Sequence, residues 1–400
     1  MFKRVILIIL DGVGIGALPD ADDYGDAGCA TLQHVAEAVG GLDLPCLKQL
    51  GLGNIATLTG VAPVTDPEAC WGKMGQLAVG KDSVVGHWEL AGVIQEQPFA
   101  TFPSGFPQEI IEAFSAETGL PVLGNISASG TEILVSLGEE HLQSGAPIIY
   151  TSVDSVLQIA AHEKVIPPEQ LYELCHVAER IVAPYRVCRV IARPFIGESA
   201  ATFRRTSRRH DFPCSPTRPT LVDQLQKAGV PTCSIGKVVD LFAGKGFDHS
   251  QQTVNNADGM NKIVDAMKIS ERGLVFANLI DFDMLYGHRR DFEGYALALA
   301  EFDRWLPSFQ KKMAADDLLI ISADHGCDPT APGTDHTREY VPLLVWSPVM
   351  NQGVGLGVRK SFSDVGATIA EQFSIDLDCG TSFLSQLRVS CSPVKPDLKA

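Results

Sequence analysis

Arg4–Leu10 reads RVILIIL, and from Val5 the apolar run continues unbroken until it stops at Asp11, where Gly12, Gly14 and Gly16 supply turn chemistry. This is the pattern of a buried strand that hands a carboxylate to a loop. It recurs twice. Leu274–Ile280 (LVFANLI) leads into Asp281 and Asp283, and Leu318–Ile321 (LLII) leads through Ser322 and Ala323 into Asp324 and His325. In open α/β sheets the ligand crevice lies beyond the carboxyl ends of the strands, so three such ends are expected to converge there. His288 and His336 add imidazoles from flanking segments. Helical patterns at 31–39, 219–228, 260–268, 293–313 and 363–373 alternate with the strands, which predicts an α/β fold with a mostly parallel, helix-covered sheet.

Four hundred residues give room for a large core and a second module. The texture changes between two breaker-rich stretches, Phe102–Pro107 and Pro213–Pro219. We therefore expect a core domain over 1–100 and 218–400, an inserted α/β cap domain over 101–217, and a loose tail from about 389. Strands are expected at 148–152 and 187–192 within the insert, with helices at 108–117, 130–137 and 168–182. No apolar stretch approaches the ~20 residues of a membrane span. MFKRVILIIL ends in Asp-Gly and lacks a small-residue cleavage site, so it reads as a core strand and not as a leader. Ten cysteines without CxxC spacing fit free thiols in a reducing, cytoplasmic setting. A net charge of −16 disfavours nucleic acid and anionic membranes as partners, yet leaves room for a small phosphorylated substrate in a locally positive pocket.

The candidate metal ligands are Asp11, Asp283, His288, Asp324, His325 and His336. Mixed imidazole and carboxylate donors suit Mn²⁺, Zn²⁺ or Fe²⁺ better than Mg²⁺ or Ca²⁺. Two such ions about 4 Å apart can clamp the attacking and leaving oxygens of a phosphoryl transfer. A lone Asp at a strand end more simply caps a turn, but six ligands placed behind apolar runs are not explained that way. Gly80-Lys81-Asp82-Ser83 offers a hydroxyl that a base or a metal ion would activate, and a helix starting there would point amides at a phosphate. As an isolated motif it would be an N-cap. The four arginines of Thr202–Asp211 (TFRRTSRRHD), with Arg193 and Lys237, are the candidate phosphate-binding cations.

These segments resemble the phosphopentomutases of the alkaline phosphatase superfamily. The resemblance is carried by Leu10-Asp11-Gly12, Gly80–Glu89, Asp281–Asp291, Ala323–Gly326 and Pro332–Glu339, and it extends through the insert (Thr151–His162, Ile191–Phe195) to about Leu384. It implies an alkaline phosphatase-like core with an inserted cap, and interconversion of ribose 1-phosphate and ribose 5-phosphate or their 2-deoxy forms. By position, one Mn²⁺ would be held by Asp283, His288 and His336. The other would be held by Asp11, Asp324, His325 and the nucleophile Ser83, which would cycle through a phosphoserine primed by a sugar bisphosphate. Asp154, Arg193, Arg209 and Lys237 would bind the phosphorylated pentose, and no protein partner is implied. Ser83 stands where the family commonly has Thr, Val85 replaces a second Thr, and Cys327 replaces an Asn, which leaves Zn²⁺ or another divalent ion open. Asp281 and Asp335 are expected to orient His288 or His336. The alternatives are a metal-dependent phosphatase, a cofactor-independent phosphoglycerate mutase, or a non-catalytic metal-binding protein.

Overall fold

The computed structural model describes residues 2–152, 155–350 and 352–387. The expected tail and Asp154 lie outside the described residues. In chain order the strands are β1 (Arg4–Leu10) and β2 (Cys70–Met74); β3 (Leu123–Ser127), β4 (Ile148–Thr151), β5 (Val156–His162), β6 (Arg189–Ile196), β7 (Arg204–Arg205) and β8 (His210–Pro213); then β9 (Thr232–Ile235), β10 (His249–Gln251), β11 (Gly273–Leu279), β12 (Asp317–Ser322), β13 (Val341–Trp346) and β14 (Gly355–Arg359). The chain divides into two compact units, Met1–Glu96 with Pro216–Ala400, and Gln97–Ser215.

The first unit is built on an eight-stranded sheet in the order β10-β9-β11-β1-β12-β13-β2-β14. β1 lies between β11 and β12, parallel to both. All seven of its residues are buried, as expected for a strand covered on both faces. Its one charged residue fixes the register. Arg4 pairs across to Asp317 at 2.6 Å and donates to the carbonyls of Met267 and Ser270, so both terminal nitrogens of a buried guanidinium are engaged at the strand entrance. Because β11, β1 and β12 run side by side in one direction, Asp283, Asp11 and Asp324 emerge at one end of the sheet. Only β13 runs against its neighbours, antiparallel to both β12 and β2. β13 was not expected from the sequence, and Pro342 within it hides the strand, since proline is rare between two paired neighbours. Its carbonyl still accepts from Ser322 Oγ at 2.7 Å.

Most helices lie close to their expected ranges, but the helix expected at 130–137 runs over Glu132–Ser144, and one other shift is informative. The helix expected from residue 260 runs over Asn256–Ile269, because the Asn255 side chain accepts from the Asp258 amide and starts the helix a turn before its first apolar residue. Among the described residues no helix is long and apolar enough to cross a membrane.

The second unit has its own sheet, β3-β4-β5-β6-β7, with β8 also on β6. β5 and β6 pair in parallel while β4 and β5 are antiparallel. Successive residues alternate between two cores. Ile149, Leu157, Ile159 and Val190 pack with the helices Gln108–Thr118 and Pro168–Val182, whereas Ile148, Tyr150, Ala160 and Phe195 pack with Ile133 and Leu134 of the helix Glu132–Ser144. Helices thus cover both faces, which is the α/β character expected of the insert.

Candidate active site

Two strand ends place the deepest candidate ligands. Asp11 follows β1 and Asp324–His325 follows β12, and all three residues are essentially inaccessible. Asp11 Oδ1 and Asp324 Oδ2 lie 3.3 and 3.4 Å from His325 Nε2. Asp11 Oδ2 receives Asn278 Nδ2 at 3.0 Å and Lys237 Nζ at 2.7 Å. The backbone amide of Gly12 donates to Asp324 Oδ1, so the turn after β1 helps to aim the carboxylate after β12.

The second group sits nearer the surface. After β11 the chain forms a short π-helical turn, Phe282–Gly287, a wide geometry often found at functional sites. It buries Asp283 and presents His288. Asp283 Oδ2 lies 3.3 Å from His288 Nε2, and its Oδ1 lies 3.2 Å from His336 Nε2. His336 stacks on His325 with ring centres 3.9 Å apart, so the two groups adjoin. His288 Nδ1 donates to the carbonyl of Thr334 at 2.6 Å, which turns Nε2 toward Asp283.

Ser83 opens the helix Ser83–Leu90. The cap is its neighbour: Asp82 accepts from the amides of Val84 and Val85 at 2.8 and 3.2 Å. Those two amides are therefore occupied by Asp82. The same arrangement leaves the Ser83 hydroxyl uncommitted to capping. Ser83 Oγ lies 3.1 Å from His325 Nε2, 3.2 Å from Lys237 Nζ and 3.5 Å from Asp11 Oδ1.

Buried polar side chains hold these pieces together. Glu89 accepts from the amides of Leu77, Ala78 and Phe362 and from Ser361 Oγ. Glu339 accepts from Thr31, Gly16 and Thr337, and Gly14 is required beside it, since a Cβ there would meet Glu339 Oε2 at 2.3 Å. Arg338 donates to Gln76 and to the carbonyls of Ala78 and Gly80, tying the loop that carries His336 to the turn that carries Ser83. His87, fully buried, has Nδ1 2.9 Å from the Ser83 carbonyl and 3.2 Å from Asp324 Oδ2. None of these supports was assigned a role from the sequence. The signal available was the placement of charged residues within apolar segments, as in Val84–Leu90.

The electrostatics follow from burying acids and bases together. Burial favours the neutral form of Asp283, but His288 and His336 outweigh it and hold the carboxyl well below its ordinary range. Asp324 is held low in the same way, by His325, His87 and Lys237 against burial. Burial would lower His325, yet Asp324, Asp11 and Asp283 raise it to about 10. In Lys237 the same acids overcome burial and raise the ammonium.

A divalent cation fits this donor set. Asp283 Oδ1, Asp324 Oδ2 and His336 Nε2 are buried and make no hydrogen bond, although each lies close to another polar atom. Buried polar atoms without hydrogen-bond partners are rare, and lone pairs facing one another are what a cation would satisfy. Asp11, Asp324 and His325 form one set of close donor atoms, and Asp283, His325 and His336 another.

The site unites Asp11, Ser83, Lys237, Asp283, His288, Asp324, His325 and His336. Asp281 and Asp335 do not orient the histidines. Asp281 accepts from the Asn256 amide at 2.7 Å, at the start of a helix. Asp335 accepts from the His336 amide and lies 3.4 Å from Lys81. Carboxylates next to a ligand in sequence were here claimed by nearer backbone donors, and a carbonyl took the orienting role at His288. In the second unit Arg193 lies on β6 and donates to Gln158 Oε1 at 2.9 Å, while Arg209 is exposed and doubly bonded to Asp211.

Residues 3–377 match the Metalloenzyme superfamily. A phosphopentomutase of Syntrophotalea carbinolica is 56% identical over 96% of this chain and 98% of its own length. The chain belongs to the phosphopentomutase family. A second member, from Caldanaerobacter subterraneus subsp. tengcongensis, is 54% identical over 97% of the chain and 98% of its own. Among solved structures, a protein from Pyrococcus horikoshii has a TM-score of 0.50 at 15% identity, covering 95% of this chain and all of that one, which bears on the fold alone. The fold is a mixed α/β architecture with a large, mostly parallel sheet.

Proposed function

We propose that this phosphopentomutase-family enzyme interconverts ribose 1-phosphate and ribose 5-phosphate, and their 2-deoxy forms, through a phosphoserine at Ser83. The observation that carries this reading is the Ser83 hydroxyl, buried within 3.5 Å of His325, Lys237 and Asp11. Asp11, Asp324, His325 and Ser83 would hold one ion, and Asp283, His288 and His336 the other, with Mn²⁺ as the favoured metal for a mixed nitrogen and oxygen donor set. Bound there, the ions supply Lewis-acid charge neutralisation for the transferring phosphoryl group.

The chain's own groups account for the rest. The phosphorylated Ser83 gives its phosphoryl group to the free sugar hydroxyl: the Ser83 O–P bond breaks, a sugar O–P bond forms, and the hydroxyl proton ends on the released Ser83 oxygen. The Lys237 ammonium lies beside Oγ to neutralise the charge released there. The resulting bisphosphate turns around and returns its other phosphoryl group to Ser83. Arg193, Arg209 and Asp154 of the second unit, acting as a cap, would bind the distal phosphate and sugar and keep water from the phosphoserine. A sugar bisphosphate primes the cycle. Free thiols at Cys29, Cys46, Cys175, Cys233, Cys327 and Cys379 support a reducing, cytoplasmic setting.

The test is a substrate panel. Mn²⁺-loaded protein with a bisphosphate primer should turn over ribose 5-phosphate efficiently and leave 3-phosphoglycerate and p-nitrophenyl phosphate nearly untouched. Efficient hydrolysis of p-nitrophenyl phosphate would point instead to a phosphatase.

A further inference from the structure

We propose that Cys327, with Asp283 and His288, forms a thiolate coordination position for a thiophilic divalent cation of the Zn²⁺ class, in competition with the outer ion of the two-metal site. A carboxylate oxygen of Asp283, a ring nitrogen of His288 and Cys327 Sγ all lie within 4.8 Å of one another. Neighbouring ligands of a tetrahedral zinc stand roughly 3.3–3.6 Å apart, so closure needs only small side-chain shifts. Cys327 Sγ is 4.0 Å from His288 Nδ1, the nitrogen that donates to the Thr334 carbonyl, so Nε2 is the ring nitrogen left to bind an ion.

Two features argue for more than a neighbouring thiol. Asp283 is 4% exposed, and its Oδ1 is among the buried oxygens without a hydrogen-bond partner. The thiol also lies in a slot that depends on missing side chains. A Cβ on Gly287 would stand 2.4 Å from Cys327 Sγ, and one on Gly12 would stand 2.9 Å from Cys327 Cβ and 3.4 Å from Asp283 Oδ1. Real Cβ atoms do not approach so closely, so Gly12 and Gly287 keep open the volume in which sulfur, carboxylate and imidazole meet.

Competition follows from shared ligands. The outer Mn²⁺ position would use Asp283, His288 and His336; the sulfur position uses the first two with Cys327 in place of His336. One ion at a time can hold both shared side chains. Soft sulfur selects Zn²⁺ over Mn²⁺, and on ligation the Cys327 S–H proton is released to solvent as the S–metal bond forms. Zn²⁺ would thus draw the outer ligands away from the arrangement needed for turnover.

The inference rests on the metal-binding part of the proposed function and not on its substrate. Metal-free full-length protein titrated with Co²⁺, a spectroscopic probe for Zn²⁺, should develop an intense sulfur-to-cobalt charge-transfer band in the near ultraviolet. That band should be lost in both Cys327→Asn and Cys327→Ser, while the weaker visible cobalt bands remain. In Cys327→Asn the preference for Zn²⁺ over Mn²⁺ should fall on the order of 10- to 100-fold. Visible bands without a charge-transfer band in the unaltered protein would overturn the role of Cys327 and leave the two-metal reading standing. A band that persists in both variants would also overturn it, and no cobalt spectrum at all would overturn both.

Discussion

The inner and outer halves of the metal centre are built by different means. Asp11, Asp324 and His325 come from the ends of two adjacent parallel strands and are closed off from solvent. Asp283 leaves the third strand through a π-helical turn, while His288 and His336 stand on segments whose side chains are 37% and 15% exposed. Sheet register fixes the inner half, and loop contacts such as the bond from His288 to Thr334 fix the outer. The inner half is therefore suited to hold a nucleophile rigidly, and the outer half to exchange an ion or admit a substrate.

The contrast can be broken most severely at Ser83. Ser83→Ala should abolish phosphoenzyme formation and cut mutase turnover by about 10³-fold or more, measured by coupled assay, with the protein still folded. Labelled phosphoprotein surviving in that variant would remove Ser83 from the inner half.

A smaller effect separates the halves by stability. Asp324→Ala leaves the buried His325 without one of its acids and should cost about 3–5 kcal/mol in metal-free protein. His288→Ala removes a more exposed group and should cost about 1 kcal/mol. Urea unfolding in the presence of a chelator measures both, and equal losses would erase the distinction. Arg193→Ala, in the second unit, should leave metal affinity unchanged at both halves while raising the ratio of hydrolysis to mutase turnover. Unchanged partitioning would count against a cap role for that arginine.

The mildest test uses pH. The pKa of His325 is raised to about 10, and that of His288 is raised mainly by its bond to Asp283. A raised imidazole stabilises the fold fully below its unfolded value near 6.5, and that contribution is lost as pH rises through the folded value. In metal-free protein the inner contribution should persist until about pH 10, as read from unfolding free energies across pH. At pH 8 ion binding at the inner half should release close to one proton, detectable as a buffer-dependent heat of binding. No proton release there would show His325 already neutral.

How much of this was legible in the sequence follows the same divide. The inner ligands sit directly after apolar runs, so periodicity alone brought Asp11 and Asp324 to one edge. Asp283 was reachable by the same logic, and its partner His336 was a candidate ligand from a loop, but which ion each would hold came only from the resemblance. Asp281 and Asp335 misled because sequence adjacency says nothing about which donor is nearer; Asn256 claims one of them from 25 residues away. Lys237 was read as a substrate-binding candidate, yet it also pairs with Asp11 and donates to Ser83 Oγ. His87, Asn278, Glu89, Glu339 and Arg338 were assigned no role, since a buried polar residue declares its part only when its partners are known.

The central claim is that Ser83 carries the phosphoryl group. Mn²⁺-loaded protein treated with a radiolabelled sugar bisphosphate, then quenched and mapped by peptide mass spectrometry, should carry phosphate on Ser83 alone, and ribose 5-phosphate should chase that label into sugar phosphate. Label on a different residue, or full mutase turnover with Ser83 never phosphorylated, would contradict the account.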